Sequence, residues 1–119
     1  MRESPPELDR LLGEFPPEVR DLVRRCREAI LGVMPEAAER VYRGWHGVGF
    51  HHPAAGYVCA VFPADDHARV GFEHGHLLHD PERMLTGTGK QVRYLVVTDW
   101  NERVAEALDD FVSQAIELR

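Results

Sequence analysis

The side chains with the greatest chemical capacity crowd into one stretch of the chain, residues 74 to 93. His74, His76, His79 and Asp80 place three imidazoles beside a carboxylate. Such donors suit zinc, iron or nickel, and a loop is pliant enough to converge them. The spacing His-x-His-x-x-His-Asp matches no hydrolase signature, and HExxH is absent. Asp80-Pro81 also has a competing structural use, because aspartate caps a following turn while proline takes its first helical position. The four residues are candidate metal ligands, set against histidines that cap, bond backbone or face water. No cofactor is predicted; iron or zinc is what the cluster would take if it converged.

Gly87-Thr88-Gly89-Lys90 and Arg93 make a second candidate site, for an anion. Two glycines allow successive N–H groups to turn toward a negative group, and the two cations add charge. A nucleotide loop of the GxxxxGK[ST] type is excluded, since Met84 and Gln91 stand where it needs glycine and a hydroxyl; Val92 likewise breaks GxGxxG. A structural turn whose Lys90 and Arg93 meet nearby carboxylates competes with the anion reading.

Little else suggests catalysis. GxSxG is missing and the only serines are Ser4 and Ser113, so a Ser/His/Asp hydrolase is disfavoured. The residual enzymatic reading uses His76 or His79 as the acid–base group and Lys90 with Arg93 as electrostatic partners. His46, His51, His52 and His67 are scattered. Trp45, Phe50, Tyr57 and Phe62 read as sheet core or rim in preference to a stacking platform, and Arg20, Arg24 and Arg27 as a solvated helix face.

These candidates need a scaffold. A chain of 119 residues, 44% hydrophobic and 29% charged, has the size and balance of one soluble domain spanning 1 to 119, with 1 to 14 a polar extension or short docking helix. Its formal charge of -6 disfavours nucleic acid and anionic bilayers. No leader-like start and no membrane-length apolar run is visible, so the expected location is the cytoplasm. Cys26 and Cys59 sit in apolar company and read as two buried thiols in place of a disulfide.

A helix is expected from Pro16-Pro17, with Val19, Leu22, Val23, Cys26, Ala29, Ile30 and Val33 as its buried stripe. A shorter second helix is expected over residues 36 to 43, opened by Pro35 and ended by Gly44. Strands are expected at 45 to 50, 57 to 62, 68 to 73 and 92 to 97, with the continuous apolar run at 57 to 62 marking a strand covered on both faces. Residues 81 to 85 suggest a helical turn. Asp99, with Glu102 reaching back, would cap a final helix carrying Val104, Leu108, Phe111, Val112, Ala115 and Ile116. The predicted class is α+β: a mainly antiparallel sheet of about four or five strands with N-terminal and C-terminal helices packed on it. The connection between its last two strands is about 16 residues, longer than the usual few, which points to an ordered Ω-like loop, a binding surface, or both.

Gly71-Phe72, Gly75, Leu78, Asp80-Pro81, Leu85, Gly87-Thr88-Gly89-Lys90 and Arg93 resemble the characteristic run of the YdhG-like domain family of unknown function, DUF1801, over roughly residues 15 to 118. The resemblance implies a small α+β fold of the YdhG/YjbR/CyaY type. For some members it implies a frataxin-like iron-chaperone role. It assigns no catalytic residue, and the arginines of the long N-terminal helix depart from the acidic surface that frataxin-like iron binding uses. The reading favoured by these residues is a noncatalytic domain for a small anionic ligand or a protein partner, using the 74 to 93 surface. Metal binding or iron delivery is the alternative, followed by an enzyme of unrecognised type. Leftover apolar surface would also suit a homodimer.

Overall fold

Proline at a helix start costs nothing, because the first N–H groups have no partner within the helix. In the computed structural model, which describes residues 2 to 118, α1 (Pro6–Leu12) and α2 (Pro17–Val33) both begin this way. Leu8, Leu11 and Leu12 are buried, so the N-terminal extension is a docked helix. Val19, Leu22, Val23, Cys26 and Ile30 form the buried stripe of α2. The last helix, α3 (Glu102–Glu117), buries Leu108, Phe111 and Val112, and its cap is Asn101 in place of Asp99. The Asn101 side chain accepts the Val104 backbone N–H at 3.0 Å, and Glu102 is already inside the first turn. No helix among the described residues is long and apolar enough to cross a membrane.

The helix expected over residues 36 to 43 is a strand, β1 (Ala38–Tyr42), after a turn at Pro35-Glu36. A short isolated helix gains few hydrogen bonds for a costly nucleus. As a strand, the same residues obtain a full ladder against β2 (Gly47–His52), with Val41 opposite Val48 and Tyr42 opposite Gly47. β3 (Gly56–Pro63) and β4 (Ala68–Phe72) continue the antiparallel meander. β6 (Arg93–Val97) then pairs with β4, and the two-residue β5 (Leu85–Thr86) adds to its outer edge. The sheet is therefore six-stranded among the described residues, ordered β1-β2-β3-β4-β6-β5, against the four or five strands expected. The α+β class stands.

Directly opposed residues of antiparallel strands share a face. Val48 with Val61, Phe50 with Cys59, and Val70 with Leu95 point to one side, where α2 and α3 lie together and Phe72 meets Phe111 edge-on. Glu39 faces this apolar side too, and it is matched by Arg27 of α2. The guanidinium donates Nε and one terminal nitrogen to the carboxylate at 2.8 Å each, and its remaining donors reach the carbonyls of Glu3 at 2.7 Å and Arg2 at 3.3 Å. The two side chains are only 6% and 3% exposed, so Arg27 is not part of a solvated stripe. Breaking such a pair leaves a buried charge short of partners. Arg27→Met is expected to cost about 3 kcal/mol in urea unfolding, and Arg27→Met with Glu39→Leu to recover most of that loss.

Cys26 and Cys59 are free and buried. Burial pushes the Cys26 thiol up to about 12 and raises Cys59 as well, and the thiolate is the reactive form. Both should resist an alkylating reagent at pH 8 in the folded protein and react once urea unfolds it; fast labelling of the native protein would contradict this burial.

Candidate functional site

The 74 to 93 connection spends its polar groups on its own backbone. Gly75 to Leu77 form a single 3-10 turn against the start of β6, and the His76 N–H donates to the Gln91 carbonyl at 3.0 Å. The Gln114 side chain of α3 clamps His79 from both sides, accepting its N–H at 2.7 Å and donating to its carbonyl at 3.1 Å. Asp80 accepts the Met84 and Leu85 N–H groups, each at 2.9 Å. It therefore orders a turn that leads into β5, where the sequence suggested a helical turn at 81 to 85.

Of the metal candidates, that arrangement brings only the His74 and His76 rings together, with centroids 6.4 Å apart. The His76 ring nitrogen Nδ1 lies 3.1 Å from the Gln91 carbonyl, and His74 Nε2 lies 3.9 Å from the Glu73 carboxylate. His79 is held through its backbone, and both Asp80 oxygens are taken by N–H groups. Among the described residues, no group of three or more His, Cys, Asp or Glu side chains is placed to hold a metal ion. In the anion candidate, Gly87 has the expected positive φ of 134°. Arg93, however, donates to the carbonyls of Gly89 at 2.6 Å and Val92 at 2.8 Å, so its guanidinium ties the loop. Gly89 and Lys90 are exposed.

Gly75 has a packing role here. A Cβ at that position would stand 2.5 Å from Arg93 Cβ and 2.7 Å from the Arg93 backbone nitrogen, whereas one on Gly89 would meet nothing within 4 Å. Gly75→Ala should lower stability by about 1–3 kcal/mol in thermal unfolding, and Gly89→Ala should leave it nearly unchanged.

The sheet face away from the helices carries a different set of residues. Gly47, Gly49, Tyr57, Ala60, Phe62, Arg69, Gly71, Tyr94 and Val96 point to it by register. Gly47, Gly49 and Gly71 make room for rings: a Cβ on them would lie 2.6 Å from Phe62, 2.8 Å from Tyr42 and 2.9 Å from Tyr94. With no side chain in the way, the aromatic rings lie down on the strands, and Ala60 beside them is fully buried without a helix above it. The result is an open groove of about 470 Å³, lined by Trp45, Tyr57, Phe62, Arg69, Gly71, Glu73, Val92 and Tyr94.

Local contacts hold the walls of this groove. Trp45, in the β1–β2 turn and 54% exposed, stacks on Tyr42 with ring centroids 4.3 Å apart, and the Tyr42 hydroxyl is 3.0 Å from His51 Nε2. The Arg69 guanidinium lies 4.8 Å over the Tyr94 ring and 5.7 Å over Phe62. Burial, and then the neighbouring Cys59, Glu73, Tyr42 and Tyr94 groups, raise the Tyr57 phenol above its usual range, so it is a neutral hydroxyl at physiological pH. The lining thus offers stacking faces, one cation, one carboxylate and two phenols. These are recognition groups.

Sequence reasoning placed Trp45, Tyr57 and Phe62 in core or rim and gave Arg69, Gly71 and Tyr94 no shared site. A signal was present. Residues 68 to 73 alternate apolar with Arg69, Gly71 and Glu73, the period of a strand with one open face. Glycines in strand interiors mark a close approach by another group. No family model, curated protein or solved structure matches the chain.

Proposed function

We propose that this protein is a binding domain for a small planar ligand, seated on the open face of its sheet. One observation carries the reading: an aromatic-lined groove of about 470 Å³ whose floor is opened by glycines and whose polar groups are few. Small-ligand sites have volumes of this order, mostly apolar linings and a few polar groups that set orientation. A flat ring gains most from such a lining, because it can contact several ring faces while keeping its own edge for hydrogen bonds. The noncatalytic ligand-binding role expected from the sequence is retained, and its place moves from the 74 to 93 loop to the sheet. From that loop only Val92 joins Trp45, Tyr57, Phe62 and Tyr94 in the wall.

The neutral bicyclic 2-naphthol is a suitable probe. Titrated into the 15N-labelled protein, it should shift the amides of Gly47, Gly49, Gly71 and Tyr94 and leave residues 79 to 90 in place. Trp45→Ala removes one stacking face and should weaken binding by about 1 kcal/mol, roughly fivefold. Shifts confined to the 74 to 93 loop would overturn the proposal. So would concentration-dependent self-association that buries Trp45, because the face would then belong to a second copy.

A further inference from the structure

The groove is chemically polarised along β4. Arg69 and Gly71 lie on its open side and Glu73 in the turn just past its end, with the glycine gap between the two charges. Four residues, extended as far as Phe72, separate the Arg69 and Glu73 backbones by about 13 Å, long enough to set different environments at the two ends of a small ligand.

Arg69 is prepared for a partner. Its guanidinium carbon lies over the Tyr94 and Phe62 rings, themselves inclined at 66°, a cation–π arrangement in which the N–H donors stay in one planar fork. That arrangement restrains a long side chain before anything binds, which reduces the ordering cost of binding. Its cross-strand neighbours are Phe62 on β3 and Val96 on β6, so no carboxylate stands directly opposite it to compete for its donors. A carboxylate or a similar planar oxyanion matches two parallel donors of that edge. At the other end, the Glu73 carboxylate disfavours a second negative group.

Resting on the ligand-binding reading above, we infer that the groove selects aromatic acids, with the anionic group held at Arg69 and the ring lying over Phe62, Tyr94 and the Gly71 gap. The chain as a whole carries a formal charge of -6, so its long-range field repels anions. A preference for an anion therefore has to come from this local cation.

The experiment compares three probes of one shape, 2-naphthoate, 2-naphthol and 2-naphthylmethylammonium, by calorimetry and amide shifts on the full chain. Wild type should bind naphthoate roughly tenfold more tightly than naphthol, the scale of one charge-assisted hydrogen bond. Arg69→Gln should erase that difference between naphthoate and naphthol. Arg69→Glu should reverse the order and favour the ammonium. Thermal unfolding checks that both variants fold, which the exposed position of Arg69 favours. Equal affinity of wild type for naphthoate and naphthol would overturn the inference, as would a naphthoate preference that survives both substitutions. Binding of naphthol alone at the face keeps the groove and sinks the acid selectivity. Absence of all three probes from the face sinks the groove reading itself.

Discussion

All the regular helices of the described chain that join its core do so on one side of a six-stranded sheet. The other side must then be closed by the sheet's own side chains, and most of the structure follows from how that is done. Glycines at 47, 49 and 71 remove the Cβ atoms that would hold rings upright, and Phe62, Tyr42 and Tyr94 lie over the vacated positions. Rings laid on the backbone cover strands cheaply, but they cannot fill the hollow between Trp45 and Tyr94. The groove is the space left over when aromatic side chains stand in for a second layer of helices.

The buried ion pair on the helix side supports that groove from below. Arg27 and Glu39 fasten β1 to α2 and gather the carbonyls of Arg2 and Glu3 at the same point. β1 in turn presents Tyr42 to the opposite face, where it stacks on Trp45 and meets His51. An edge strand is the least restrained part of a sheet. The wall of the groove nearest that edge is thus anchored through a salt bridge on the far side.

The polar connection between β4 and β6 serves a different end. A long irregular segment brings many backbone N–H and C=O groups that must find partners. Asp80, Gln114, Arg93 and the Gln91 carbonyl supply them. The residues that look most like ligands in a one-dimensional reading are largely occupied in holding the segment. Its contribution to the groove is a single apolar side chain, Val92, at its end.

Periodicity alone determined the long helices α2 and α3, the three-strand meander, the buried cysteines and the α+β class, because those features depend on which neighbours along the chain share a face. The Asp80-Pro81 pair marked Asp80 as a capping residue, although not which N–H groups it would take. Three matters were decided by tertiary structure. Residues 38 to 42 became a strand because a ladder with β2 was available to them. Arg27 was buried because Glu39 arrives opposite it from another element. The groove exists because residues from β3, β4, β6 and the β1–β2 turn meet on one surface. Cross-strand register sets each of these, and register is a relation between segments that the local pattern of any one segment does not contain.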